Sequence, residues 1–331
     1  MRVPNYIKES RKSLLIVGPD IDTRGIGGVT IHVQRLLQYL DNRNFHYTFT
    51  DYKSVSFLTL LKAIYHNDLI HFHISRPLLL LALICYSRIV SKQVIFTLHG
   101  DYGRFSSINK WIIKLSIKFA NIPIAINKRS YDKCQLINAQ TRLVPAFIPP
   151  QREENLQKEI IELVERLHAE GKTIFSTNAY NVAHDKYGND IYGIDFLVQY
   201  FKNSQDRALI ISDPSGNYHK QYTHIKPHSV FFIDYPHPYF ELLKKVDYFI
   251  RNTSTDGDAL SVKEAIYLGV PVLCTDVVDR PSGVRLFKYS DEGSFTAALK
   301  SSSSYSTKLG NAAETILRIY LNDNSNANCS K

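Results

Sequence analysis

Short apolar runs alternate along this chain with longer stretches whose apolar residues recur at helical spacing. In the first half the runs are Leu14–Val17, His46–Phe49, Leu69–Ile74, Val94–Leu98, Ile122–Ile126 and Arg142–Phe147. Residues 29–40, 56–65, 78–90, 107–119 and 129–137 between them carry the helical pattern. Strands separated by single helices pair in parallel through crossovers, so this half is expected to be a doubly wound α/β sheet.

The segment Val144-Pro-Ala-Phe-Ile-Pro-Pro150 interrupts the pattern, because consecutive prolines remove ladder donors. A charged helix over 151–169 follows, and the alternation restarts. Strands are expected at Thr173–Thr177, Ala208–Ser212, Val230–Asp234, Tyr248–Asn252, Val272–Thr275 and Arg285–Tyr289, with helices near 193–202, 237–245, 260–268, 291–300 and 306–321. The expected architecture is therefore α/β with two Rossmann-like domains, 1–148 and 149–331, facing across a cleft. The last helix is placed as packing back on the first domain.

Composition narrows the class. A chain of 331 residues that is 44% hydrophobic and 12% aromatic can fill two cores. Cys85, Cys134, Cys274 and Cys329 show neither close pairing nor metal-ligand spacing, which points to a reducing cytoplasm. Leu14–Val17 is too short for the core of a signal peptide. The greasiest segment, Leu78–Cys85, falls well short of the roughly twenty residues of a membrane span and is expected to be a buried helix.

Charge is divided unevenly. Residues 1–150 hold 20 Lys and Arg against 8 Asp and Glu, a balance of +12, while 151–331 hold 20 against 23, a balance of −3. A basic half implies an anionic partner. Dispersed basic residues with no zinc-finger spacing and no aromatic RNA-binding signature exclude nucleic acid, leaving a phosphorylated acceptor or peripheral contact with an anionic membrane face.

Three segments carry candidate chemistry. Strand Leu14–Val17 runs into Gly25-Ile-Gly27-Gly28, where glycines admit close approach of backbone to a phosphate at a helix start. The G-x-G-x-x-G spacing of a nicotinamide fingerprint is not met. His99, in Thr97-Leu-His99-Gly100, follows a strand and so sits at a carboxyl edge, whereas His71 and His73 alternate on a strand and read as structural. In the second half Asp256 lies in a polar loop, and Glu264 lies eight positions later inside the helix ending at Gly269. Their carboxylates can accept hydroxyls from different parts of one ligand.

The run Asp256-x7-Glu264 followed by Ala265 and Leu268-Gly269-Val270-Pro271-Val272 resembles the E-x7-E and E-A-x-x-x-G-x-P-V signature of retaining GT-B glycosyltransferases of family four, with Asp replacing the first Glu. The resemblance spans nearly the whole chain. It implies that Asp256 meets donor-sugar hydroxyls, Glu264 holds the ribose, and the N–H groups of Leu260, Ser261 and Val262 receive the diphosphate. It also implies that Gly27 and Gly28 border the diphosphate and that His99 positions the transferred sugar. The family's phosphate-binding Lys-Gly is replaced by Tyr192-Gly193, so Arg251 and Arg280, both near expected strand ends, are read as the substitute cations. Asp256-Gly-Asp258 imitates a metal-binding D-x-D, but two successive α/β units are the wrong context, and no metal is expected.

The expected activity is transfer of a sugar from a nucleoside diphosphate donor, a substrate rather than a cofactor, to a glycan or lipid-pyrophosphate-linked hydroxyl in surface-polysaccharide synthesis. Catalytic roles fall to His99 and Asp256. Two other readings share the fold: a sugar-nucleotide epimerase, which needs no acceptor, and a catalytically silent scaffold subunit.

Overall fold

The computed structural model describes residues 12–20, 28–100, 102, 107–223, 228–256, 259–301 and 309–322. It divides into two compact units, 1–151 with 310–331, and 152–309. The division thus falls three residues beyond the expected 148, and the C-terminal segment belongs to the first unit.

In the first unit, strands β1 (Leu14–Gly18), β2 (Thr48–Asp51), β3 (Leu69–Phe72), β4 (Gln93–Leu98), β5 (Ile122–Ala125) and β6 (Arg142–Leu143) form one parallel sheet in the order β2-β1-β3-β4-β5-β6. Successive residues feed opposite faces. Leu15, Val17, Ile70, Phe72, Val94 and Phe96 pack with α2 (Phe57–Tyr65), α3 (Pro77–Ile89) and α4 (Ser107–Phe119). Leu14, Ile16, Leu69 and Ile95 pack with α1 (Gly28–Asp41) on the other side. Helix α5 (Lys128–Gln135) completes the run, N-capped by the Asn127 side chain, which accepts from the Ser130 N–H.

The second unit repeats the design. Its strands β7 (Thr173–Asn178), β8 (Arg207–Ser212), β9 (Val230–Ile233), β10 (Tyr248–Arg251), β11 (Val272–Thr275) and β12 (Arg285–Phe287) are ordered β12-β11-β10-β7-β8-β9, all parallel. Helices α6 (Lys158–Ala169), α9 (Tyr239–Leu243) and α10 (Leu260–Leu268) cover one face around Ile174, Phe249 and Val272. Helices α7 (Ile194–Phe201), α8 (Asn217–Tyr222) and α11 (Glu292–Lys300) cover the other around Phe175, Ile250 and Leu273. Burial of both faces explains why these strands read as nearly continuous apolar runs. Each large side chain so buried contributes about 1.5–3 kcal/mol.

The chain then returns to the first sheet as α12 (Ala312–Tyr320). Ala312, Ala313, Ile316 and Tyr320 join the cluster around Leu14 and Ile16, and the Ala312 N–H donates to the Phe147 carbonyl at 2.9 Å.

Several expected boundaries move. Strand β2 starts at Thr48 rather than His46, and β6 is only two residues long because Pro145 and the prolines after it cannot extend the ladder. The charged helix expected from 151 begins at Lys158, and α8 was not anticipated at all. The segment Leu78–Cys85 is helical but buried on one side only: Leu78 is 70% exposed, and Ile89 at the end of the helix is 80% exposed. Only Leu80, Leu83, Ile84 and Ser87 of α3 face the sheet.

One glycine is fixed by geometry. Gly193 precedes α7 with φ of 54°, and a Cβ there would meet Asn252 Nδ2 at 2.2 Å and Tyr289 Cε2 at 2.9 Å. Asn252 Nδ2 donates to the Gly193 carbonyl at 2.9 Å, and its Oδ1 accepts from the Ser290 N–H at 3.1 Å. Gly193→Ala is expected to lower stability by about 2 kcal/mol or more, since left-handed strain and a clash with buried backbone-binding atoms add. Chemical denaturation checks it, and an unchanged midpoint would contradict this packing.

Candidate functional site

In the second sheet the strand order reverses between β7 and β10, and ligands of open α/β sheets bind outside the carboxyl ends of strands at such a point. Arg251, the last residue of β10, spans this junction: its Nη1 donates to the Asn178 carbonyl and to Asn178 Oδ1, both at 3.3 Å, at the end of β7. Its other nitrogens hold Asp256 in a fork, Nε to Oδ2 and Nη2 to Oδ1, each at 3.2 Å. Arg280, from the loop after β11, donates Nη1 to Asp256 Oδ2 at 2.8 Å and Nε to the Thr275 carbonyl at 3.0 Å. The three side chains are almost wholly enclosed, with Asp256 6% exposed and Arg280 3%.

The electrostatics follow from this enclosure. Burial by itself pushes the Asp256 carboxyl pKa up, but the charges and hydrogen bonds of Arg251 and then Arg280 reverse the direction and hold it below its ordinary value of 3.8. Burial likewise opposes the Arg251 charge, and Asp256 overcomes it. Two guanidinium groups on one carboxylate leave this trio of side chains with an excess of positive charge. Tyr192 lies under Arg251 with the guanidinium 5.2 Å from its ring centre.

Helix α10 begins beside this cluster. Its N-cap residue, Ala259, supplies no side-chain hydrogen bond to the first N–H groups. Ser261, Val262, Lys263, Glu264, Ala265 and Ile266 are all buried, so Glu264 is not an acid on a solvated helix face. The Glu264 charge is near enough to help raise the Tyr239 hydroxyl pKa, after burial as the main cause, and Tyr239 bonds Ser176 Oγ on β7 at 3.0 Å. Arg251, Arg280, Asp256, Tyr239, Glu264 and the start of α10 therefore share one end of the sheet.

The first unit gathers imidazoles. His73 Nδ1 and His99 Nε2 share a hydrogen bond at 2.8 Å, and the His32 ring, from α1, lies 5.0 Å from that of His99. His32 Nδ1 donates to the Ala146 carbonyl at 2.8 Å. The His71 ring lies 4.1 Å from that of His73, tilted by 44°, and His71 bonds Tyr320 Oη at 2.6 Å and Thr97 Oγ1 at 2.9 Å. Burial pulls the His71 pKa down to about 3 and that of His73 well below the ordinary 6.5, so both are neutral. His32, His73 and His99 bring one ring nitrogen each within 4.8 Å of one another, and among the described residues they are the only group with the composition to hold a metal ion.

Of the residues singled out in the sequence, the structure brings Arg251, Arg280 and Asp256 together with Glu264 and the start of α10 at one end of the sheet, and it pairs His99 with His73, which the sequence reads as structural; Asn178 and Tyr239 join the cluster without a signal in the sequence. Period-two alternation gives no sign of a hydrogen bond between neighbouring strand ends, and Asn178 gains meaning only from the sheet order. Gly28 opens α1 in open space, where an added Cβ meets nothing within 4 Å. Gly27 lies outside the described residues.

No protein-family model matches this chain, and no curated protein matches it. Solved structures do. HepE from Anabaena, crystallised in complex with UDP-glucose, is 14% identical with a TM-score of 0.64 over 94% of this chain and 95% of its own. Sucrose-phosphate synthase from Thermosynechococcus elongatus is 14% identical with a TM-score of 0.57 over 88% and 89%. A UDP-GlcNAc 2-epimerase from Methanocaldococcus jannaschii is 12% identical with a TM-score of 0.59 over 94% and 99%. The chain has their two-domain, Rossmann-like α/β fold. Among the described residues no helix is long and apolar enough to cross a membrane.

Two outcomes follow for stability. Asp256→Ala, which leaves two buried guanidinium groups facing each other, is expected to cost about 3–5 kcal/mol in denaturant unfolding, and a loss below 1 kcal/mol would contradict the enclosed network. The depressed His71 pKa contributes stability that is complete above pH 6.5 and lost as pH falls from there toward about 3, because the unfolded chain takes up a proton that the folded one refuses. The thermal midpoint should therefore fall between pH 7.5 and pH 5; a flat profile would contradict a buried neutral imidazole.

Proposed function

We propose that this protein is a glycosyltransferase that moves a sugar from a nucleoside diphosphate donor to an acceptor hydroxyl with retention at the anomeric carbon. The observation that carries this reading is the Arg251–Asp256–Arg280 cluster beside the start of α10. A cation pair held rigid by a shared carboxylate, next to helix N–H groups, suits a diphosphate whose negative charge grows as the sugar departs. The HepE structure carries UDP-glucose on the same fold, which supports a nucleotide-sugar donor.

The residues take distinct parts. Arg251 and Arg280 meet diphosphate oxygens, helped by the N–H groups of Leu260, Ser261 and Val262. Asp256, expected from the sequence to meet sugar hydroxyls as a catalytic residue, has both oxygens on arginines and sets the spacing of the two cations instead, and Glu264 accepts the ribose hydroxyls. The leaving diphosphate accepts the acceptor's proton, so positioning and electrostatics dominate catalysis. His99, fixed by His73, positions a sugar hydroxyl. The reading extends to a family-four enzyme of polysaccharide synthesis, capsule or O-antigen, with a glycan or lipid-pyrophosphate acceptor met by the basic first unit, and to a reaction that needs neither cofactor nor metal.

The epimerase of the same fold is the second reading. A donor screen that follows release of nucleoside diphosphate separates them: transfer predicts release that rises with acceptor and is abolished in Glu264→Ala. Conversion of donor without acceptor would select the epimerase, and no thermal stabilisation by any nucleotide would select a silent scaffold. Arg251→Ala and Arg280→Ala should each weaken nucleoside diphosphate binding roughly 10- to 100-fold, the worth of a charge-assisted hydrogen bond. Unchanged affinity in both would contradict the clamp. Activity should persist in a metal chelator; its loss, restored by a divalent cation, would overturn the metal-free mechanism.

A further inference from the structure

Helices α2, α3 and α4 cover the same face of the first sheet, and their outward sides are unusual in two respects. Of the large hydrophobic side chains exposed among the described residues, eight of fifteen lie on these three helices: Phe57, Leu58 and Tyr65; Leu78 and Ile89; Ile108, Trp111 and Phe119. Scattered exposed apolar residues are ordinary, but such a concentration on one layer marks a contact surface.

Charge is the second observation. The helices, of 9, 13 and 13 residues, carry Lys62, Arg88, Lys110, Lys114 and Lys118 and not one Asp or Glu. On α4 the two properties run side by side. Ile108, Trp111, Leu115 and Phe119 fall at helical spacing on one stripe, and Lys110, Lys114 and Lys118 fall at intervals of four on the next. Apolar rings flanked by lysines, with no acid to repel phosphate, match the boundary between acyl chains and anionic headgroups, where the ring enters and the long lysine stem reaches back to the headgroup. The length of α3, 13 residues, suits lying in that boundary rather than crossing it.

We propose that the outer faces of α2, α3 and α4 dock this protein onto the surface of a bilayer rich in anionic lipid. The apolar residues supply buried area and the five cations supply selectivity for negative charge. This surface does not depend on the transferase reading and stands or falls separately from it.

Trp111 makes the test direct, because it is the only tryptophan in the chain and is 62% exposed. Vesicles of phosphatidylglycerol and phosphatidylcholine at low salt should shift its emission to the blue, and brominated acyl chains should quench it. The shift should fade as salt is raised. Lys110→Gln, Lys114→Gln and Lys118→Gln together should weaken vesicle co-sedimentation roughly a hundredfold. Ile89→Ser with Ile108→Ser should weaken it as well, with unfolding midpoints near that of the parent. Unchanged emission and no sedimentation with anionic vesicles would overturn the proposal. So would equal binding to pure phosphatidylcholine, or a blue shift that appears with concentration and no lipid, which would assign the face to a second copy of the chain.

Discussion

A carboxylate shut between two guanidinium groups is the constraint on which the second unit's chemistry depends. Isolated, any one of these charges would be costly to bury, and the cost is offset because Asp256 accepts from both arginines while the arginines also find the carbonyls of Asn178 and Thr275. The arrangement does more than satisfy charge. It ties the end of β10 to the end of β7 across the place where the sheet order reverses, and it holds two cations at a fixed spacing before any ligand arrives. Preorganised positive charge needs no rearrangement when a leaving group becomes more negative.

The same network reaches position 192. Tyr192 offers a ring face to Arg251, and Gly193 admits the close approach of Asn252 that fixes the turn into α7. Positive charge beside this carboxylate comes from the end of β10 and the loop after β11. In the first unit polarity is handled differently: four imidazoles are gathered, with His71 and His73 kept neutral by burial, and positive charge is displayed on the outer helices instead.

Much of this was legible in the residues. Alternating runs located all twelve strands of the described residues, because strands covered on both faces leave an unbroken apolar trace, and α4 and α10 fell at their expected limits. Helix α8 escaped because six residues of Asn-Tyr-His-Lys-Gln-Tyr show too little periodicity. The exposure of Leu78 and Ile89 escaped because a stretch apolar all round looks the same whether one side or every side is covered. Arg251 and Arg280 were identifiable as cations near strand ends, but their convergence on Asp256 was not, since residues 24 positions apart meet only through sheet order. The partnership of His73 with His99 was hidden for the same reason.

Titration calorimetry with a nucleoside, its monophosphate and its diphosphate measures the anion grip most directly. If the paired arginines and the start of α10 receive phosphate, affinity should climb through the series, by roughly tenfold or more per phosphate, and the gain should shrink when Arg251 is replaced by Ala. Equal affinity for the nucleoside and its diphosphate, in the parent and the variant alike, would contradict a phosphate-binding role for this cluster.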